Sequence, residues 1–135
     1  MARYLSRVTC PRQLKCMKKI IYPLLLMLPS LTLFAGEPIV VDASASPIKS
    51  GVYRFDVTLR HSDERWDHYA DAWDVTAPNG EILGHRTLFH PHVDEQPFTR
   101  SLSGVAVPEG IDHVEIRAHD SVHGYSSQPY RVNLE

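Results

Sequence analysis

Between residues 53 and 60 apolar and polar side chains alternate. Tyr53, Phe55, Val57 and Leu59 fall on one side, and Arg54, Asp56, Thr58 and Arg60 on the other. A period of two is what a strand half buried in a sheet requires, because successive side chains leave opposite faces. The same pattern predicts strands at 38–43, 51–61, 67–76, 82–90, 98–107, 113–120 and 129–134. No stretch carries an apolar stripe at helical spacing. Turn residues separate the segments, most clearly Pro78, Asn79, Gly80 and Pro108, Glu109, Gly110. The expected fold is therefore all-β, a single seven-stranded antiparallel β-sandwich over residues 36–135.

Residues 1–35 do not follow this pattern. Met17, Lys18 and Lys19 give a positive start, Ile20 to Phe34 an apolar middle broken by Pro23 and Pro29, and Ala35 a small final residue. Those are the parts of a secretory signal peptide with cleavage after Ala35. The apolar run is too short and broken for a comfortable membrane helix. If it is not cleaved, it is the chain's one expected membrane contact. Residues 1–16 precede a better start at Met17 and read as an over-extended frame or a long leading region. The expected destination is periplasmic or secreted.

Setting that segment aside changes the composition. Both cysteines, Cys10 and Cys16, go with it, so the remainder has no thiol, no disulfide and no lipidation site at the cut. Six of the fourteen Lys and Arg go too, whereas all sixteen Asp and Glu stay. Eight basic against sixteen acidic side chains disfavour nucleic acid, whose binding rests on neutralising phosphate, and favour cations. The strand spacing resembles immunoglobulin-like or fibronectin-type sandwiches, without the Cys, Trp, Cys signature of antibody domains. That likeness is architectural and assigns no function.

Successive antiparallel strands run alternately up and down, so the connections divide between two ends of a sandwich. Those at 44–50, 77–81 and 108–112 hold ordinary turn residues. Those at 62–66, 91–97 and 121–128 gather His61, His68, His90, His92, His119 and His123, six of the eight histidines, with Trp66, Asp67, Asp94, Glu95, Asp120 and Tyr125. Loops on a rigid scaffold are where binding residues usually sit.

His90 and His92 are the first-choice metal ligands in this end. Two apart on an extended segment, they share a face about 6.6 Å apart, and two imidazoles so placed can meet one ion at roughly 2.0 to 2.1 Å. Pro91 stiffens the pair. His61, His68 and His123 are second choices, and Asp94 and Asp120 supporting acids. Asp120 alternates with Val114, Ile116 and Ala118, so it falls on an apolar face and needs a partner, Arg100 or a histidine. His119 shares parity with Glu115 and Arg117 and reads as outward; His85 reads as an ordinary strand residue. Tyr69 and Trp73 read as core. Trp66, ahead of its strand, is a possible stacking platform. Imidazole without thiolate points to a divalent transition metal or copper, with zinc or copper first.

Catalytic readings are weaker. No cysteine survives, no serine sits in a strained elbow, and Glu64, Asp67 and Asp71 as an acid–base group have no spacing beyond that of exposed strands. The segments WDHYADAWDV, LGHRTLFHPHVDEQPFTRSL and DSVHGY resemble a group of small exported bacterial proteins with no assigned activity. The resemblance implies a periplasmic location and carries over no site residue. The reading reached is an exported module that binds metal at a histidine-rich pole. The alternative is a module recognising a periplasmic protein or a glycan through Trp66 and Tyr125. A third reading is a pH-responsive module, since eight histidines against that acidic surface charge as the compartment acidifies.

Overall fold

The structure, a computed structural model, describes residues 36–135; the expected signal peptide at 1–35 lies outside the described residues. They form eight strands and no helix: β1 (Ile39–Lys49), β2 (Val52–Arg60), β3 (Ala70–Thr76), β4 (Ile82–Thr87), β5 (Phe98–Ala106), β6 (His113–Asp120), β7 (Gly124–Tyr125) and β8 (Tyr130–Asn133). All pairings are antiparallel. One sheet has the order β1-β2-β5; the other runs β4-β3-β6, with β7 and β8 both pairing with β6.

The alternation read in β2 holds. Phe55, Val57 and Leu59 are fully buried, and they meet Trp73 and Val75 of β3 and Val114, Ile116 and Ala118 of β6 in one core between the sheets. On the outer face Arg54 pairs with Asp56, and Thr58 hydrogen-bonds Thr99 across to β5 at 2.8 Å. The first pair runs along β2, and the second is the kind of cross-strand contact that polar positions contribute to a sheet. Where the β4 edge crosses β5, a Cβ on Gly84 would stand 2.9 Å from Leu102 Cδ2 and 3.0 Å from Val105 Cγ2, so a larger residue would force those side chains to shift.

The observed strands depart from expectation in four places. There are eight, the extra one being the two-residue β7 inside the connection expected at 121–128. β1 runs on to Lys49 through a Ser- and Pro-containing stretch, because pairing with β2 as far as Lys49 and Val52 outweighs weak strand propensity on an edge. β4 stops at Thr87, so His90 is not on a strand. A bulge between Ala70 and Ala72 reverses the parity of β3, so Trp73 is core while Tyr69 is only half buried.

Thr76 pairs with Glu115 and Val107 donates to Gly51 O, which gathers the 50–51, 77–81 and 107–112 turns at one end. The histidine-bearing loops close the opposite end.

Candidate metal centre

His61 directly follows β2 and is 3% exposed. Its Nδ1 lies 2.6 Å from Asp63 Oδ1, and its Nε2 2.7 Å from Gly36 O and 3.7 Å from Asp120 Oδ2. Both ring nitrogens thus face oxygen acceptors. A neutral imidazole has one N–H, so this setting suits either an imidazolium or a ring whose Nε2 lone pair meets a cation while Nδ1–H is held by the carboxylate. Asp63 is itself fixed: the Ala70 amide donates to Oδ1 at 3.0 Å and the His92 amide to Oδ2 at 2.6 Å. Gln96 accepts from the His61 amide at 3.0 Å and donates to His92 O at 2.9 Å, joining the 91–97 loop to the end of β2.

Asp120, the last residue of β6, is fully buried, as its apolar parity required. Its Oδ1 accepts from the amides of Val122 at 2.8 Å and His123 at 2.5 Å, an Asx-type turn that brings the His123 ring back over the carboxylate, with Nδ1 3.1 Å from Oδ2. His68 Nε2 stands 3.4 Å from Oδ1, buried and without a hydrogen bond. The expected partner Arg100 instead pairs with Glu95 at 2.9 Å. Burial alone would push the Asp120 carboxyl up; the His123 and Val122 amides, joined by the His123 and His68 side chains, outweigh it and hold it below the usual carboxylate range.

The ligand atoms of His61, His68 and Asp120 all lie within 4.8 Å of one another, and the ring of His68 packs edge-on against His61 at 4.7 Å and His123 at 4.8 Å. Two ligands of one tetrahedral zinc ion are about 3.4 Å apart, close to the His–Asp120 separations here. Two imidazole nitrogens and one carboxylate oxygen, with Asp63 as outer carboxylate, form a donor set suited to a borderline divalent ion.

The structure therefore brings together His61, His68, His123 and Asp120 of the expected ligands. His90 and His92 form a separate pair, ring centroids 4.6 Å apart, in the loop after β4. The His92 ring stacks on Phe98 at 3.8 Å, 4% exposed, with neither nitrogen hydrogen-bonded. Asp94 is exposed. His119 faces outward onto Asp71 at 2.6 Å. His85, read as an ordinary strand residue, holds Asp74 at 2.5 Å, and the Tyr125 hydroxyl donates to the same carboxylate. Trp66 is 66% exposed and lines an open cleft of about 470 Å³ with Arg65, His90, Pro91, Val93 and Asp94. Sequence reasoning missed Asp63 and Gly36. The His61-Ser62-Asp63 spacing was a signal for Asp63; the signal for Gly36 was its place directly after the expected cleavage at Ala35.

The His92 ring has a further consequence for stability. Burial, then the charges of Arg100 and His90, outweigh Glu95 and Asp63 and push its pKa below the ordinary 6.5. A folded value below the unfolded one means that stability present above about 6.5 is lost as pH falls through the folded value. His92→Phe should therefore flatten the decline of the urea midpoint between pH 7.5 and 5.5. Parallel declines in the two proteins would show that His92 does not carry it.

This sequence is similar, at 42% identity over 99 residues, to a protein of Halomicrobium mukohataei named "Putative lipoprotein"; the match covers 73% of this chain and 48% of that protein. The chain thus spans about half the length of the curated relative it matches. No protein-family model matches the sequence, and no solved structure matches it.

Proposed function

We propose that this chain is an exported module that binds one divalent transition metal ion, copper or zinc, through His61, His68 and Asp120, with His123 at its side. The carrying observation is that His61 and His68 direct ring nitrogens at the two oxygens of one buried carboxylate, 3.7 and 3.4 Å away. The buried His68 Nε2 is 3.4 Å from Asp120 Oδ1 without an aligned hydrogen bond, a costly arrangement for a buried polar atom unless a ligand completes it. Export is supported by the leader-like residues 1–35 and by a relative named as a lipoprotein. The two-sheet order β1-β2-β5 and β4-β3-β6-β8 supports the fibronectin-type reading of the architecture, with β7 as an addition.

Titration of the metal-free protein with copper(II) and zinc(II) in a non-competing buffer tests this. One site is expected, weakened by His68→Ala beyond the roughly 10- to 100-fold that losing an outer-shell partner costs, and little changed by His90→Ala. Binding indifferent to His68→Ala and lost with His90→Ala would move the centre to the other histidine pair. The exposure of Trp66 beside its cleft favours a second reading, recognition of a protein or glycan. Under that reading Trp66→Ala abolishes partner capture and leaves metal content unchanged.

A further inference from the structure

We propose, building on the metal reading above, that the α-amino group of Gly36, released by cleavage of the Ala35–Gly36 bond, is a further ligand of the same ion. The sequence ends its leader-like segment at Ala35, and the structure sets the next residue against the histidine cluster. Gly36 O is 2.7 Å from His61 Nε2. A Cβ at Gly36 would stand 3.0 Å from His123 Cε1, 3.4 Å from His68 Cε1 and 3.6 Å from His123 Nε2. The Gly36 nitrogen, about 2.5 Å from that Cβ position, is thus within about 5.5 Å of His123 Cε1.

The neighbouring residues pin this placement. The Glu37 carboxylate accepts from the Ser127 amide at 3.0 Å and hydroxyl at 2.9 Å, and Pro38 is fully buried. Only glycine suits the position: in the uncleaved chain it has φ +110°, and a side chain would press on His123.

Cleavage changes what the Gly36 nitrogen can do. Within the peptide bond its lone pair is delocalised into the Ala35 carbonyl, so it is a poor donor. Hydrolysis adds one water across that bond, leaving Ala35 as a carboxylate and Gly36 as an ammonium, which gives up a proton when the nitrogen takes the ion. The amine nitrogen and carbonyl oxygen of one residue close a five-membered ring around a metal, and Gly36 O already faces His61 Nε2, the nitrogen assigned to the ion. Maturation would thus complete the centre, and the processed chain would bind metal more tightly than its precursor.

The test uses the full chain exported from cells. Intact mass should show Gly36 as the first residue. Acetic anhydride then labels the amines; Lys49, the one lysine of residues 36–135 and at the far end of β1, is the internal control. Copper(II) should slow acetylation of Gly36 at least about tenfold while leaving Lys49 unchanged, and the acetylated protein should bind copper at least about tenfold more weakly. A mature chain starting elsewhere overturns the proposal. So does bound copper with unslowed Gly36 acetylation, which leaves the histidine centre standing. Absence of copper binding altogether removes the metal centre and this ligand with it.

Discussion

Replacing Asp120 with alanine is expected to lower the unfolding free energy of the metal-free protein by about 3 kcal/mol and to abolish metal binding. Asp120 is the acceptor for the Val122 and His123 amides and the common neighbour of His61, His68 and His123. Without it the turn after β6 loses its internal acceptor, and three imidazoles lose the carboxylate around which they gather. Asp120→Asn separates the two roles, because an amide oxygen still receives the backbone donors. That variant should cost about 1 kcal/mol less than alanine and still fail to bind metal. Urea unfolding monitored by circular dichroism, with a chelator present, gives the stabilities. A loss of under about 1 kcal/mol for Asp120→Ala would show that the histidine loops are held by other contacts.

The second large effect belongs to the core. Trp73→Ala should destabilise by about 3 to 5 kcal/mol, because Trp73 is a fully buried large side chain in the middle of β3, set among Phe55, Leu59, Val75 and Ile116 in one cluster. Trp73→Phe should keep most of that stability. It retains much of the ring volume and removes an indole N–H that is buried without a partner. Urea midpoints of the two variants decide the point. Equal losses would mean that shape in this layer, and not buried area, sets the cost.

Much of the fold was legible because its signals are local. The period-two pattern of β2 and β6 reported which side chains face the core, and Asp120 was marked as a buried acid needing a partner by parity alone. Where the reading failed, pairing had overridden local preference. The bulge at Ala70/Ala72 turned Tyr69 out of the core, and the early end of β4 removed the extended segment on which the same-face argument for His90 and His92 depended. The pole was legible from strand direction. Which of its histidines meet was not, since His61 and His68 stand at the two ends of the β2–β3 connection and His123 lies between β6 and β7, and their approach depends on how those two connections fold back.

By itself, then, the sequence determined an all-β chain with an acidic remainder, no thiol beyond residue 35 and histidines gathered at one end. Alternation, composition and strand direction are properties of neighbours along the chain, so they can be read there. Only the tertiary structure decided that His61 and His68 share the carboxylate of Asp120, that Asp63 holds His61, and that Gly36 lies against His68 and His123. Those contacts join residues from 2 to 87 positions apart in sequence, and their distances follow from sheet register and loop closure, which no local pattern records.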